Sequence, residues 1–265
     1  MYSFNYQKAK SVADASATVA KNGDAKLLAG GQSLLAAMKL RLARPSDIVD
    51  LGAIRELSGI KVEGNAVTIG AMTRHAEVAA SAEVKKAIPA LAALAGGIGD
   101  RMVRNMGTLG GALANNDPAA DYPAAVLGLA ATIVTNKRKI SADEFFKGMY
   151  ETALQNGEII TAVTFPVPKR AAYMKFKNPA SRYAIVGVFV AESGGGVRVA
   201  VTGAAPSVFR VPEMEKALAS KFAPESVANV KVSPDKLNSD LHAKADYRAH
   251  LITVMARRAV EAALK

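Results

Sequence analysis

Two glycine-rich segments constrain this chain more than anything else in its sequence. The first reads Leu28-Ala29-Gly30-Gly31-Gln32-Ser33-Leu34. The second reads Val103-Arg104-Asn105-Met106-Gly107-Thr108-Leu109-Gly110-Gly111-Ala112 and runs on into Asn116-Asp117-Pro118-Ala119-Ala120-Asp121. Adjacent glycines leave the apex of a loop bare, so backbone N–H groups can converge on an anion. Ser33 and Thr108 set a hydroxyl donor beside each segment. Two such loops suit a ligand with two bridged phosphates, which points to a dinucleotide. The two familiar glycine fingerprints are missing. No G-x-G-x-x-G occurs, since Gly97-Ile98-Gly99 has the wrong residues downstream, and there is no G-x-x-x-x-G-K followed by Ser or Thr.

Around these segments the apolar pattern sketches an α+β fold. A short strand over 3–6 and an alanine-rich helix over 11–22 open the chain, with Gly23 closing the helix. Strand 26–29 enters the first glycine loop and a helix over 33–40 leaves it, an anion-binding geometry. Strand 48–51 follows. Residues 60–70 alternate on both sides of Gly64-Asn65, which predicts a hairpin. Helices are expected over 74–80, capped by Thr73, and over 88–94. After the second glycine segment come a helix over 119–127 and strands over 131–135 and 159–165. Pro166–Arg170 is the candidate boundary between a first part, 1–169 (subdomains about 1–54 and 55–169), and a second, 170–265. The second part is expected to hold strands 173–176, 184–191 and 197–202 and helices over 213–219 and 247–264.

Composition closes off several classes of function. The chain has 265 residues and no cysteine, so disulfides, thiolate zinc sites, a cysteine nucleophile and a cysteine-ligated iron–sulfur cluster are excluded. Any electrons it handles must reside on an organic cofactor. Half the residues are hydrophobic, yet no apolar run approaches the roughly 20 residues that span a bilayer. The N-terminus lacks the pattern of an export signal, so a cytoplasmic location without a transmembrane segment is expected. The net charge of +11 is dispersed, with Lys137-Arg138-Lys139 as the densest cluster. It reads as a solvated basic surface, and the scarcity of aromatics leaves no stacking platform for nucleic acid.

Taken in order, AGGQSL, RNMGTLGG and NNDPAADYPAA resemble the flavin-binding subunit of the molybdenum hydroxylases, together with residues 70–73, 173–176, 181–188 and 240–248. This is the family of the carbon monoxide dehydrogenase medium subunit and the xanthine dehydrogenase flavin domain. The resemblance spans essentially the whole chain. It implies a two-subdomain PCMH-type FAD-binding domain, of the fold shared with vanillyl-alcohol oxidase, followed by an antiparallel sheet with helices. It also implies a flavoprotein subunit that receives electrons from [2Fe–2S] clusters on a small subunit. Those clusters are fed in turn by a molybdenum cofactor on a large subunit, in a dimer of heterotrimers.

The same resemblance implies roles for particular residues. Ala29 and Gln32 would be cofactor-binding, and Gly30, Gly31 and Ser33 with Thr108, Gly110 and Gly111 would hold the FAD pyrophosphate through backbone N–H groups and the two hydroxyls. Leu34, Leu109 and Ala112 would form walls, and Ile98 and Ile185 apolar packing. Asp121 would accept from ribose or ribityl hydroxyls, its alternative being a helix N-cap. Lys175 would tune the flavin near N1 and C2, its alternative being a solvated strand-end charge. Gln32 stands where covalent flavoproteins of the wider fold often place a histidine, so non-covalent FAD is expected. His75 reads as a surface histidine. No catalytic acid, base or metal ligand is expected on this chain. A free-standing FAD oxidase of the same fold and a basic nucleic-acid-binding protein are the alternatives.

Overall fold

The computed structural model describes residues 1–265. Its first layer is a small parallel sheet built from β1 (Asn5–Lys8), β2 (Lys26–Leu28) and β3 (Asp47–Asp50), in the order β1-β3-β2. Parallel neighbours need crossovers, and α1 (Val12–Lys21) and α2 (Leu34–Lys39) supply them. Ser11 caps α1 by accepting from the Asp14 N–H at 3.1 Å, and Ala15 and Val19 bury its inner stripe against Val49 and Leu51.

The second layer is a sheet in the order β4-β5-β10-β6-β7. It contains β4 (Ile60–Glu63), β5 (Ala66–Gly70), β6 (Thr132–Thr135), β7 (Lys139–Ser141) and the long β10 (Ile160–Pro166). The β4–β5 turn places Gly64 at φ +55°, the left-handed conformation the Gly-Asn pair foretold. Between β5 and β6 run six helices: α3 (His75–Ala80), α4 (Ala82–Ala87), α5 (Pro89–Gly96), α6 (Arg101–Met106), α7 (Leu109–Asn115) and α8 (Tyr122–Gly128). The apolar faces of all but α6 join Val67, Ile69, Val163 and Phe165 in the largest core. Helix α9 (Ala142–Phe145) with β8 (Phe146–Gly148) and β9 (Glu151–Thr152) forms a small flap before β10.

The third layer is the antiparallel sheet β11 (Arg170–Lys177), β12 (Ala184–Ser193), β13 (Gly196–Thr202) and β14 (Phe209–Arg210), with α10 (Pro212–Ser220), α11 (Pro224–Ala228) and the long α12 (Ala245–Ala263). Strand β12 is sandwiched between two cores. Phe189 and Ala191 join the large core, whereas Val186, Val188 and Val190 meet Leu251, Ile252 and Met255 of α12. With both faces buried, its sequence reads as a continuous apolar run rather than an alternation.

The local pattern departs from expectation at a few places. Helices α4, α6, α7, α9 and α11 are not foreseen in the sequence. Helix α6 has no buried residue and is held by its Asp100 cap, which accepts from the Val103 N–H at 2.9 Å, so it lacks an apolar stripe to betray it. Thr73 does not cap α3. Its hydroxyl is bonded to the Gly59 backbone, and Glu77 accepts from the Arg74 N–H instead.

Candidate functional site

Strand β2 delivers the chain into residues 29–33, and α2 carries it away. Gly31 lies at φ +72°, where an L side chain is strained, and a Cβ there would meet Leu35 Cδ1 at 2.8 Å. The N–H groups of Gly30, Gly31, Gln32 and Ser33 donate to no protein acceptor. The Ser33 hydroxyl is not used to cap α2. Four consecutive open amides and a hydroxyl make a nest for an anion.

The second segment is built differently. Its glycines belong to a helix start rather than an open loop. Thr108 is the N-cap of α7, and its hydroxyl accepts from the Gly111 N–H at 3.2 Å. The amides of Gly107, Leu109, Gly110 and Ala112 donate to Val103, Thr73, Ala71 and Thr108 carbonyls, so only the Thr108 N–H stays open. This corrects the reading that Gly110 and Gly111 offer backbone donors to a ligand. Gly110 is there for packing, since a Cβ would stand 2.5 Å from Ala71 Cβ. Leu109 is likewise no wall, because its side chain is fully buried in the large core. Gly111 and Ala112 keep partial exposure.

The structure brings the two segments into contact. A Cβ on Gly30 would lie 2.7 Å from Gly107 Cα and closer still to the Met106 carbonyl, and one on Gly111 would lie 3.4 Å from Ala29 Cβ. The open amides therefore lie beside the Met106–Gly111 turn, with Gly30 packed directly on its backbone.

Asp121 stands at the N-terminus of α8. Its carboxylate is buried and makes no cap bond. It accepts from the Tyr173 hydroxyl and from Lys175 Nζ at 3.0–3.1 Å, and Lys175 also donates to the Gly97 carbonyl at 2.9 Å. Burial pushes the Asp121 carboxyl up, against the pull of Lys175 and the Tyr173 hydroxyl. Burial and the neighbouring Asp121 charge push the Tyr173 phenol up in turn. Lys175 is thus no solvated strand-end charge: its side chain is only 9% exposed and is committed to an ion pair. Tyr173 was missed. It stands two residues before Lys175 on β11, hence on the same face, and that period of two was the available signal.

Backbone ties hold the loop before Asp121. Thr202 Oγ1 donates to the Ala120 carbonyl at 2.6 Å and the Gly203 N–H to the Pro118 carbonyl at 2.8 Å. Ile185 is buried at the head of β12, and its carbonyl accepts from Arg248 at 2.6 Å. Arg248 also reaches the Gly203 carbonyl and Asp240, which gives the Asp240–Arg248 signature a structural task. Ile98 sits half-buried on the turn after α5, beside Lys175 and Arg104. His75, expected on the surface, is buried under Gly107, and its backbone N–H donates to the Gly107 carbonyl. Burial, helped by Arg104, lowers its imidazole to about 4, so it is neutral at ordinary pH.

An amide nest, an adjacent turn with one open amide, and a buried carboxylate with spare lone pairs fit a dinucleotide that carries phosphates and sugar hydroxyls. Residues 2–168 match the family of FAD-binding domains in molybdopterin dehydrogenases, and the chain belongs to that family. Among its relatives is the carbon monoxide dehydrogenase medium chain of Hydrogenophaga pseudoflava, 38% identical over 98% of this chain and 96% of that one. The nicotine 6-hydroxylase medium subunit of Paenarthrobacter nicotinovorans is 36% identical, over 96% and 95%. A solved carbon monoxide dehydrogenase from H. pseudoflava, lacking the molybdenum-pyranopterin moiety of its cofactor, superposes with a TM-score of 0.93 at 38% identity over 99% of this chain and 98% of that one. The fold is that of a medium subunit, and the cofactor of this family is FAD.

Proposed function

We propose that this chain relays electrons through FAD within a molybdenum hydroxylase complex. A small subunit would bring [2Fe–2S] clusters and a large subunit the molybdenum cofactor, the set being doubled by symmetry. The support is family membership and the run of four open amides, Gly30–Ser33, set against the Met106–Gly111 turn. The complex is assigned to the cytoplasm as part of this reading. No helix here is long and apolar enough to cross a membrane.

Bound FAD would supply the redox chemistry, and the chain's residues would bind and orient it. Gly30, Gly31, Gln32 and Ser33 would donate amides, and the Ser33 hydroxyl and Thr108 N–H would add two more donors. Ala29, Leu34, Gly111 and Ala112 would shape the site. Asp121, anchored by Tyr173 and Lys175, keeps lone pairs for ribose or ribityl hydroxyls. Ile98 and Ile185 would exclude water along the ligand. Gly110 and Leu109 serve by packing α7 against β5. Residues 1–169 would form the FAD-binding part and 170–265 the part covering it.

Attachment is non-covalent in this reading, because Gln32 offers no nucleophile for a flavin methyl group. The test is to purify the complex, denature it in acid and measure flavin. One FAD per chain in the supernatant is expected. Flavin left in the protein pellet, or none at all, would overturn the reading.

A further inference from the structure

Arg104 carries a charge that no carboxylate answers. Its guanidinium is half-buried, and Nη1 donates to the carbonyls of Ile98 at 2.9 Å and Gly99 at 3.1 Å. It takes part in none of the ion pairs of the structure. Asp100, one helical turn earlier, spends its carboxylate on capping α6. Nε and Nη2 donate to no protein acceptor, yet neither is a sealed-off orphan. An arginine withdrawn from solvent without an anionic partner is costly unless something else supplies the charge.

Its position says what that is. Arg104 lies on α6 two residues before Met106, whose carbonyl touches Gly30, and three before Gly107, which packs on His75. Its field reaches His75 beneath that turn. It therefore stands at the seam where the open amides of Gly30–Ser33 meet the second segment. No lysine or arginine occurs in residues 28–34 or 107–116, and Lys175 is already neutralised by Asp121. The amides alone would leave two phosphate charges without a counter-cation.

We infer that Arg104 is the counter-charge of the FAD pyrophosphate, a phosphate-binding residue at the helical start of the second segment, ahead of its glycines. The 97–99 turn pins one edge of the guanidinium through Nη1 and leaves its other N–H groups for phosphate oxygens, the fork geometry that suits arginine. Arg182 also reaches the Gly99 carbonyl, at 3.4 Å, and adds to the positive field. This inference rests on the FAD reading given above.

The test measures FAD dissociation constants in the flavin-stripped complex at low and high salt for the wild type, R104Q, R104K and R101Q. Arg101 is exposed on the same helix and serves as control. Charge-assisted phosphate contacts are worth about 1.5–3 kcal/mol, so R104Q should bind FAD roughly 10- to 100-fold more weakly at low salt. Its affinity should also fall less steeply as salt rises, because one phosphate-facing charge is gone. R104K should keep the wild-type salt dependence, and R101Q should match the wild type. Flavin-free R104Q should melt somewhat lower, because the Nη1 bonds to the Ile98 and Gly99 carbonyls are lost, so the salt dependence carries the test. Wild-type affinity in R104Q would overturn the inference. So would weakened binding with an unchanged salt dependence, since the loss would then be structural. Failure of the wild type itself to bind FAD would instead sink the FAD reading.

Discussion

The two glycine segments look alike in sequence and differ in what the missing side chains are for. At 29–33 the backbone is open: four amides have no protein acceptor, and Gly31 takes a left-handed φ of +72°. At 107–112 the amides are spent inside the protein, and Gly110 and Gly107 let backbones and His75 approach. Glycine serves an open, left-handed backbone at Gly31, and close packing at Gly30 and throughout the second segment. The same residue type therefore exposes the chain to two different kinds of damage when replaced.

The largest expected effect falls on the packed segment. Gly110→Val would drive side-chain atoms into Ala71, whose Cβ lies 2.5 Å from the new Cβ position. Overpacking at a closed backbone contact should cost about 3 kcal/mol. Chemical denaturation should show this loss whether or not flavin is present. A Gly110→Val variant of wild-type stability would erase the contrast.

The next effect is a pH dependence rooted under the same turn. His75 is held near 4, below the usual imidazole value near 6.5, by burial and by Arg104. The unfolded chain thus binds the extra proton over that interval, so stability is present in full above about 6.5 and is lost as pH falls toward 4. The loss from this group should reach roughly 3 kcal/mol. Urea titrations across this range should show a steeper fall for the wild type than for His75→Gln. Equal slopes would mean that the imidazole is not buried in its neutral form.

The smallest effect sharpens the boundary between the segments. Thr108→Val removes the cap on the Gly111 N–H and should cost about 1 kcal/mol. Thr108→Ser should recover it. Both variants should keep FAD, because the open Thr108 amide is untouched. Loss of FAD in Thr108→Val with full retention in Thr108→Ser would instead show the hydroxyl acting on the ligand.

Much of this was legible locally. Strand β2, the first glycine loop and α2 follow from an apolar triplet, Gly-Gly and a helix-forming run, and the β4–β5 hairpin from Gly64-Asn65. What stayed hidden depends on distance along the chain or on absent patterning. Asp121 meets Tyr173 and Lys175 more than fifty positions away, so its true partners have no local mark. The same holds for Arg104, whose acceptors are backbone carbonyls carrying no sequence signal. Helices α6 and α7 read as loop in the sequence because Gly107, Gly110 and Gly111 suggest flexibility, and only the Asp100 and Thr108 caps argue otherwise.

The central claim is that the open backbone of residues 30–33 holds FAD. Flavin content of a Gly31→Val complex tests it most directly, read alongside circular dichroism. A β-branched residue at φ +72° is strained by roughly 1–2 kcal/mol and puts bulk beside the amide nest. A folded complex with wild-type dichroism and nearly no flavin is the expected result. Full occupancy, one FAD per chain with unchanged affinity, would contradict the account.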